Sequence, residues 1–546
     1  MKRCWRLVLI GLTLGASMTG GGAAWREDAR PNFVFLYTDD QRWDTLGVVQ
    51  REQGEKGRFP WLESPNLDRL ASEGVRFRNA FVVTSLCAPS RAAFLTGRHG
   101  HFNGIINNHT SFAANSVTHA SLMRAAGYRT AYVGKWHMGS QSGQRPGFDY
   151  SASFIGQGVY FDCPVEVNGV KTATKGWIDD VSTDYAIEFV KANRDRPFSL
   201  VLGFKTCHGP FTPPPRHAST YGDARARVAP NLDSTAIYRR EAQRSPARKK
   251  QAESQSATVV TNLGMFRGLR AIDENVGRVL DTLDQLGLTQ NTVVVYSSDN
   301  GYYLGEHGLG DKRTAYDESL RVPMLLRYPK LGVKGKVIDQ MVLNLDLAPT
   351  WLDLAGLPIP QEMQGRSWKP LLTNDRATTP WRESFFYSYF REARFEAPTV
   401  TALRTERAKL IRYPGHDDWT EVFDLITDPY EIRNLADDPR AAELRRTLEA
   451  EYARQRQAVG YHVPDFADER QPQPAARPVS PGNPVRDGWV VDYRFDQDTA
   501  DRVVDISSRE NSGVAHGVKL TAGRDGAKAR EFDGQGHIEI PKSISL

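Results

Sequence analysis

Four short apolar runs, each unbroken and each followed by polar groups, constrain this chain more than any other feature. Asn32–Thr38 reads NFVFLYT, Thr130–Val133 reads TAYV, Ser199–Phe204 reads SLVLGF and Thr292–Ser297 reads TVVVYS. Between them lie stretches of helical period near Pro65–Glu73, His119–Ala126, Thr183–Ala192 and Val260–Leu288. A strand that is apolar on both faces must be covered on both faces, so strands of this kind alternating with helices predict an α/β fold. Its large, mostly parallel sheet is sandwiched by helices.

The residues just after the runs are as telling as the runs themselves. Asp39 and Asp40 come after the first, Lys135 and His137 after the second, His208 after the third, and Asp299 and Asn300 after the fourth. An open α/β sheet binds ligands in the crevice beyond the carboxyl ends of its strands. One such dipeptide would be a turn signal. Four together predict a polar site at one sheet edge. Asp39, Asp40, Asp299 and Asn300 are hard oxygen donors, a set that suits calcium or magnesium and not zinc.

The stretch Cys87–Arg98, CAPSRAAFLTGR, opens a predicted helix with Cys87 at its mouth. Pro89 suits a first turn because its missing N–H would be unpaired there, and Gly97 suits the stop. Free backbone N–H groups at a helix start favour negative charge. Arg91, four residues on, lies on the same face as position 87.

These twelve residues resemble the signature of the formylglycine sulfatases, Cys-x-Pro-Ser-Arg followed by Leu-Thr-Gly-Arg. Four further blocks carry the resemblance: the aspartate pair at 39 and 40, GKWHMG at 134–139, CHGPF at 207–211, and SSDNG with GEHGLGDKRTAYDESLRVP at 297–323. It spans about residues 31 to 440 and implies an alkaline-phosphatase-like fold. It implies that a maturation enzyme oxidises Cys87 to an aldehyde, whose hydrate attacks sulfate esters. One calcium would be held by Asp39, Asp40, Asp299 and Asn300, with the residue at position 87 completing its sphere. Arg91 would polarise the nucleophile, Lys135 and Lys312 would bind sulfate, and His208 would protonate the departing oxygen. His137 would bind or deprotonate the hydrate. Glu306 and His307 receive no catalytic role, and Glu318 is expected to pair with Arg321. QGVYFD (157–162) and KTCHGPFTPPPRH (205–217) resemble the sulfatases that remove 6-sulfate from N-acetylglucosamine in mucin or glycosaminoglycan chains. His99, His101, Asn108 and His109 are expected at a sugar subsite. Arg216–Lys250, with nine Lys or Arg against three Asp or Glu, reads as a solvated face or a basic flap for a polyanionic glycan.

The ends differ from the middle. Lys2, Arg3 and Arg6 precede an apolar run, Leu7–Leu14, and small residues to Ala24, the pattern of a secretory signal peptide over 1–24. Its removal takes the formal net charge from +5 to +2, and a nearly neutral chain gives no footprint for nucleic acid. No later stretch is long and apolar enough to span a bilayer, so the mature protein is expected in the periplasm or outside the cell. An exported chain allows a Cys163–Cys207 disulfide. The catalytic domain is expected over 25–380. A smaller α+β subdomain over 381–465 resembles the sulfatase C-terminal region, with FDLITDPYEIRNLA at 423–436 as a closing turn and helix. Prolines 472, 474, 478, 481 and 484 mark a linker over 466–488. A β-rich appendage over 489–546 resembles part of a laminin-G-like jelly roll, and is too short for that whole fold. Two other functions fit parts of the pattern: a phosphonate monoester or phosphodiester hydrolase of the same superfamily, and a non-catalytic glycan-binding protein.

Overall fold

The computed structural model describes residues 30–239, 258–373, 380–465 and 467, and the strand segments 502–503, 513–522 and 528–539. The expected signal peptide and nearly all of the expected linker lie outside these residues, as does the WVVDYRF run at 489–495. The chain divides into two compact units, Met1–Pro472 and Gln473–Leu546.

The first unit is built on a ten-stranded sheet. Its strands are β1 (Asn32–Thr38), β2 (Val75–Phe77), β3 (Arg129–Lys135), β4 (Tyr150–Phe154), β5 (Val165–Val167), β6 (Val170–Thr172), β7 (Phe198–Gly203), β8 (Thr292–Ser298), β9 (Met324–Arg327) and β10 (Lys336–Ile338). They lie in the order β10-β2-β9-β8-β1-β7-β3-β4-β5-β6. The five central strands, β8 to β4, run parallel, with Val34 level with Val294 on one side and Leu200 on the other.

Alternation along β1 shows why the sheet carries two helical layers. Phe33, Phe35 and Tyr37 pack on one face with α2 (Cys87–Thr96), α3 (His119–Ala125) and α6 (Leu347–Leu354), through Phe94, Met123 and Trp351. Val34 and Leu36 pack on the other with α1 (Pro65–Glu73), α4 (Ile178–Ala192) and α5 (Leu263–Gln285), through Leu70, Val190 and Leu280. Successive side chains of a strand point to opposite faces, and here both faces meet a dry layer.

The sequence places a strand at Val322–Tyr328, and β9 forms there, but antiparallel to both β8 and β2. The segment from β8 to β9 contains one four-residue helix, Asp317–Leu320, and no long covering helix. Without a crossover helix the chain turns back beside its own strand.

A second sheet, antiparallel, comes next in the chain: β11 (Ser384–Tyr389), β12 (Val400–Thr405), β13 (Ala408–Tyr413) and β14 (His416–Asp424). One face carries Leu403, Leu410 and Val422 against Leu448 of α7 (Ala442–Ala458). The other carries Phe385, Tyr387 and Ile411 against Phe81, Leu86 and Ala93. The C-terminal sheet is thus fastened beside α2, whose first residue is Cys87. In the second unit, Arg502–Val503, Gly513–Ala522 and Lys528–Glu539 form an antiparallel three-stranded sheet. Cys163 and Cys207 are free thiols, so the disulfide allowed by the sequence is not formed.

Candidate active site

β8, β1, β7 and β3 are neighbours and parallel, so the residues after them arrive at one edge. Cys87 begins α2, and its sulfur lies beside that edge, 3.5 Å from Asp39 Oδ1 and 3.2 Å from Lys312 Nζ. The backbone here is unusual. Asp40 and His137 have φ of 60° and 51°, values that residues other than glycine adopt mainly where their surroundings dictate them. In GKWHMG, Gly134 has φ +86°, and a Cβ there would lie 2.0 Å from the Gly203 carbonyl oxygen. Only glycine allows β3 and β7 to approach this closely.

Three buried carboxylates, Asp39, Asp40 and Asp299, each bring an oxygen within 4.8 Å of the others. Lys135 donates to Asp39 and Lys312 to Asp40. Arg91 reaches Asp299 from Nε at 2.8 Å and lies 3.5 Å from Asp39. Its other nitrogen donates to the Lys135 carbonyl at 2.6 Å and to Tyr37 at 3.2 Å. Burial pushes Asp40 up to about 7, with Asp39 and Asp299 adding to the effect beyond what Lys312 offsets. Burial and Asp39 also raise Asp299. Burial works the same way on Asp39, yet Lys135, His208, Lys312 and Arg91 together hold it well below the usual range.

The thiol of Cys87 is fully buried. Burial, with Asp39, raises its pKa, against the pull of Lys312 and Lys135. Desolvation outweighs the helix start, so as a plain thiol this is a poor nucleophile. His208 brings a ring nitrogen within 4.8 Å of the Asp39 carboxylate and the Cys87 sulfur. Its Nδ1 lies 2.9 Å from the Gly209 carbonyl oxygen, an acceptor only, which places a proton on Nδ1. His137 is 5% exposed, with Nδ1 unpartnered among the described residues. Burial, then Lys135, depresses the pKa of both rings.

The donor set fits a hard dication. It offers three carboxylates and the Asn300 side-chain oxygen, which is buried without a hydrogen-bond partner among the described residues. The Asn300 amide nitrogen donates to Asp40 at 2.6 Å, leaving that oxygen as the atom a cation would satisfy.

Every predicted catalytic and metal residue therefore lies in one cluster, but the four residues expected at a sugar subsite do not come together beside it. His99 is 3% exposed, lines a cavity of about 620 Å³ at the C-terminal sheet, and its ring adjoins His101. His101 contacts the Val459 carbonyl at 3.0 Å. Asn108 turns its side chain to α2, accepting from Ala88 N at 3.0 Å. Of the four, only His109 is exposed, 3.7 Å from Glu392. The basic stretch is pinned where it is described: Arg216 pairs with Asp180 and Glu274, and Arg227 bonds three carbonyls of the 54–57 turn. Residues 240–257 lie outside the described set. Glu318 pairs with His307 and Asn231, while Arg321 bonds the Arg78 carbonyl and covers Trp43, so the expected Glu318–Arg321 pair is absent.

The sequence reading missed Tyr37 and Tyr132, whose hydroxyls meet at 2.6 Å beneath Arg91, because a tyrosine in an apolar strand carries no local signal. It also missed Gln157, whose side-chain oxygen accepts from Lys135. QGVYFD marked its block without assigning it a role.

A sulfatase family model matches residues 31–357, and a model for the C-terminal region of N-sulphoglucosamine sulphohydrolase matches 305–458. The N-acetylglucosamine-6-O-sulfatase of Bacteroides thetaiotaomicron is 31% identical over 488 residues, covering 77% of this chain and 85% of that protein. A solved structure described as bound to its substrate D-glucosamine-2-N,6-O-disulfate superposes with TM-score 0.70 at 30% identity, covering 80% of this chain and 99% of that one. The phosphonate monoester hydrolase of Agrobacterium radiobacter shares the fold, with TM-score 0.61 at 20% identity, covering 79% and 96%. With the cysteine, the carboxylates and the lysines gathered as described, the chain belongs to the sulfatase family and is a sulfuric ester hydrolase.

Proposed function

We propose that this enzyme removes sulfate from a carbohydrate, with 6-O-sulfated glucosamine or N-acetylglucosamine as the first candidate. The nucleophile would be a formylglycine made from Cys87 by a maturation enzyme. One calcium would be held by Asp39, Asp40, Asp299 and Asn300. One observation carries the reading: the Cys87 sulfur lies 3.5 Å from an Asp39 oxygen and 3.2 Å from Lys312 Nζ. That sulfur stands where the aldehyde hydrate's oxygens would be.

Formylglycine at position 87 would supply a geminal diol, one hydroxyl as nucleophile and the other to regenerate the aldehyde, and a calcium held by Asp39, Asp40, Asp299 and Asn300 would supply Lewis-acid polarisation. This chain's own residues do the rest. Lys135 and Lys312, now on Asp39 and Asp40, turn to the sulfate oxygens. Arg91, fixed by Asp299, Tyr37 and the Lys135 carbonyl, holds the edge of the site rigid. His208 donates a proton to the departing sugar oxygen. Its depressed pKa belongs to the ligand-free site, and an anionic ester beside it favours the charged ring. His137 holds or accepts the diol proton. The substrate class rests on the curated relative and the substrate-bound structure named above, and the signal-peptide pattern of residues 1–24 supports a mature enzyme in the periplasm or outside the cell.

The test is direct. Protein from a host with the maturation enzyme should show loss of mass at the Cys87 peptide. It should desulfate glucosamine 6-sulfates. Turnover of aryl sulfates alone overturns the substrate, and preference for phosphate or phosphonate esters overturns the sulfate reading.

A further inference from the structure

QGVYFD comes after β4, the next strand along the edge from β3. Gln157 accepts at its side-chain oxygen from the Lys135 ammonium and at its backbone oxygen from Lys205 Nζ, at 3.0 Å. Three residues on, the Tyr160 hydroxyl donates to the His208 carbonyl at 2.5 Å. Lys205 lies over the Tyr160 ring, 4.7 Å from its centre. The same Lys205 begins the segment that carries His208, and Asp179 of α4 accepts from the backbone N–H groups of Lys205 and Thr206 at 2.7 and 3.0 Å. A single turn of chain thus touches the sulfate-binding side and the leaving-group side of the pocket.

Burial anchors this turn at one point, Tyr160, which is 5% exposed and stacks on Trp177. Ile155, Val159 and Phe161 around it are 44%, 56% and 38% exposed. The rest of the loop is positioned by its polar contacts. Gln157 is only partly buried, whereas Lys135, which it contacts, and Asp39 are fully buried, so its carboxamide lies on the solvent side of that ion pair. With its oxygen fixed on Lys135, the remaining amide N–H groups are donors with no protein acceptor among the described residues.

Resting on the sulfatase chemistry above, we propose that Gln157 is a sulfate-contacting residue and Tyr160 a positioning residue for His208, so that this turn sets the spacing between sulfate and leaving-group acid. The amide donates to a sulfate oxygen alongside Lys135. The tyrosine fixes the main chain of His208 and hence the reach of its ring.

The two roles separate by readout in the full, matured chain. Gln157→Leu keeps the size and loses the donor, so KM for the sugar sulfate and Ki for inorganic sulfate should both rise about tenfold. Gln157→Glu sets an anion beside the incoming sulfate and should raise both further. Tyr160→Phe should lower kcat about tenfold on a sugar sulfate, whose alkoxide needs an acid, and change an aryl sulfate by less than about twofold. A purely structural role would depress both substrates together. Unmatured protein gives a check free of catalysis: inorganic sulfate should raise the wild-type melting temperature more than that of Gln157→Leu. Ki within about twofold of wild type in Gln157→Leu overturns the contact, and equal losses on both substrates in Tyr160→Phe overturn the positioning role. Both are ratios to an active wild type, whereas the sulfatase reading is tested by wild-type turnover itself.

Discussion

At the carboxyl edge of the main sheet three carboxylates face one another and three cations, Lys135, Lys312 and Arg91, while at the junction with the C-terminal sheet two carboxylates, Asp317 and Glu431, share Lys409. Asp317 accepts from Arg404 at 3.2 and 3.1 Å and from Lys409 at 2.7 Å, and those two cations outweigh burial to hold it well below the usual range. Glu431 lies 2.6 Å from Lys409 and accepts from the Asp317 backbone N–H at 2.8 Å. The ingredients match those of the catalytic cage, and burial, with Asp317 and Glu318, pushes Glu431 up to about 7 against the pull of Lys409. The cage, where Asp40 is likewise pushed up to about 7, differs in holding a third carboxylate and a neutral Asn300 oxygen without a partner among the described residues. Buried charge and a raised carboxyl therefore do not mark a site by themselves; three carboxylates with oxygens within 4.8 Å of one another beside an unpartnered amide oxygen do.

The comparison breaks most readily at its chemical end. Cys87→Ala should cut kcat/KM by about 10⁴-fold or more with little change in melting temperature, since on the proposed reading it removes the nucleophile while deleting only one buried atom. Asp40→Asn should cost about 10³-fold in activity and leave the metal-free protein as stable or more so, because it removes a carboxylate from a repelling trio. Lost activity together with a large fall in melting temperature would show that the cage is structural. Chelation should abolish turnover, and added calcium should restore it without refolding.

The junction should respond in the opposite sense. Asp317→Asn leaves Lys409 and Arg404 buried with half their partners, an expected loss of about 3–5 kcal/mol of stability. Below the new melting temperature, kcat per folded molecule should stay near wild type. Unchanged stability, read by urea or heat, would mean that the two clusters do not differ as argued.

How far these sites were legible depends on where their determinants lie. Asp39, Asp40, Asp299 and Asn300 could be read because parallel strands share an edge, so sequence position after a strand becomes position in space. Lys312 has no such strand before it and was visible only through its block. His99 and His101 were misplaced because what buries them, the C-terminal sheet and the Val459 segment, comes much later in the chain, Val459 lying 358 residues after His101, and no local pattern announces that contact. The direction of β9 was hidden for another reason: a strand buried on both faces reads the same either way, and the missing crossover helix decides. Gln157 and Tyr160 sit in a loop whose neighbours, Lys135 and His208, belong to other strands.

Those buried histidines provide the smallest test, because they are buried polar groups that neither cage uses. His119 heads α3 with no exposed surface and no partner for either ring nitrogen among the described residues. Burial lowers its pKa to about 3. His99 reaches about 3 through burial, with His101 and Arg382 adding to it. In the unfolded chain each titrates near about 6.5. Between those values the unfolded state binds protons that the folded state refuses, so the stability these residues allow is complete above about 6.5 and declines as pH falls toward 3. The decline is about 1.4 kcal/mol per pH unit for each histidine. His119→Phe keeps an aromatic ring beside Trp351 and removes one titration. Urea unfolding at a series of pH values from 7 to 4 should therefore give a slope shallower by about that amount in the variant. An unchanged slope would mean that His119 takes up its proton without unfolding, and that this layer of the core is wetter than the closed junction with which it would then stand in contrast.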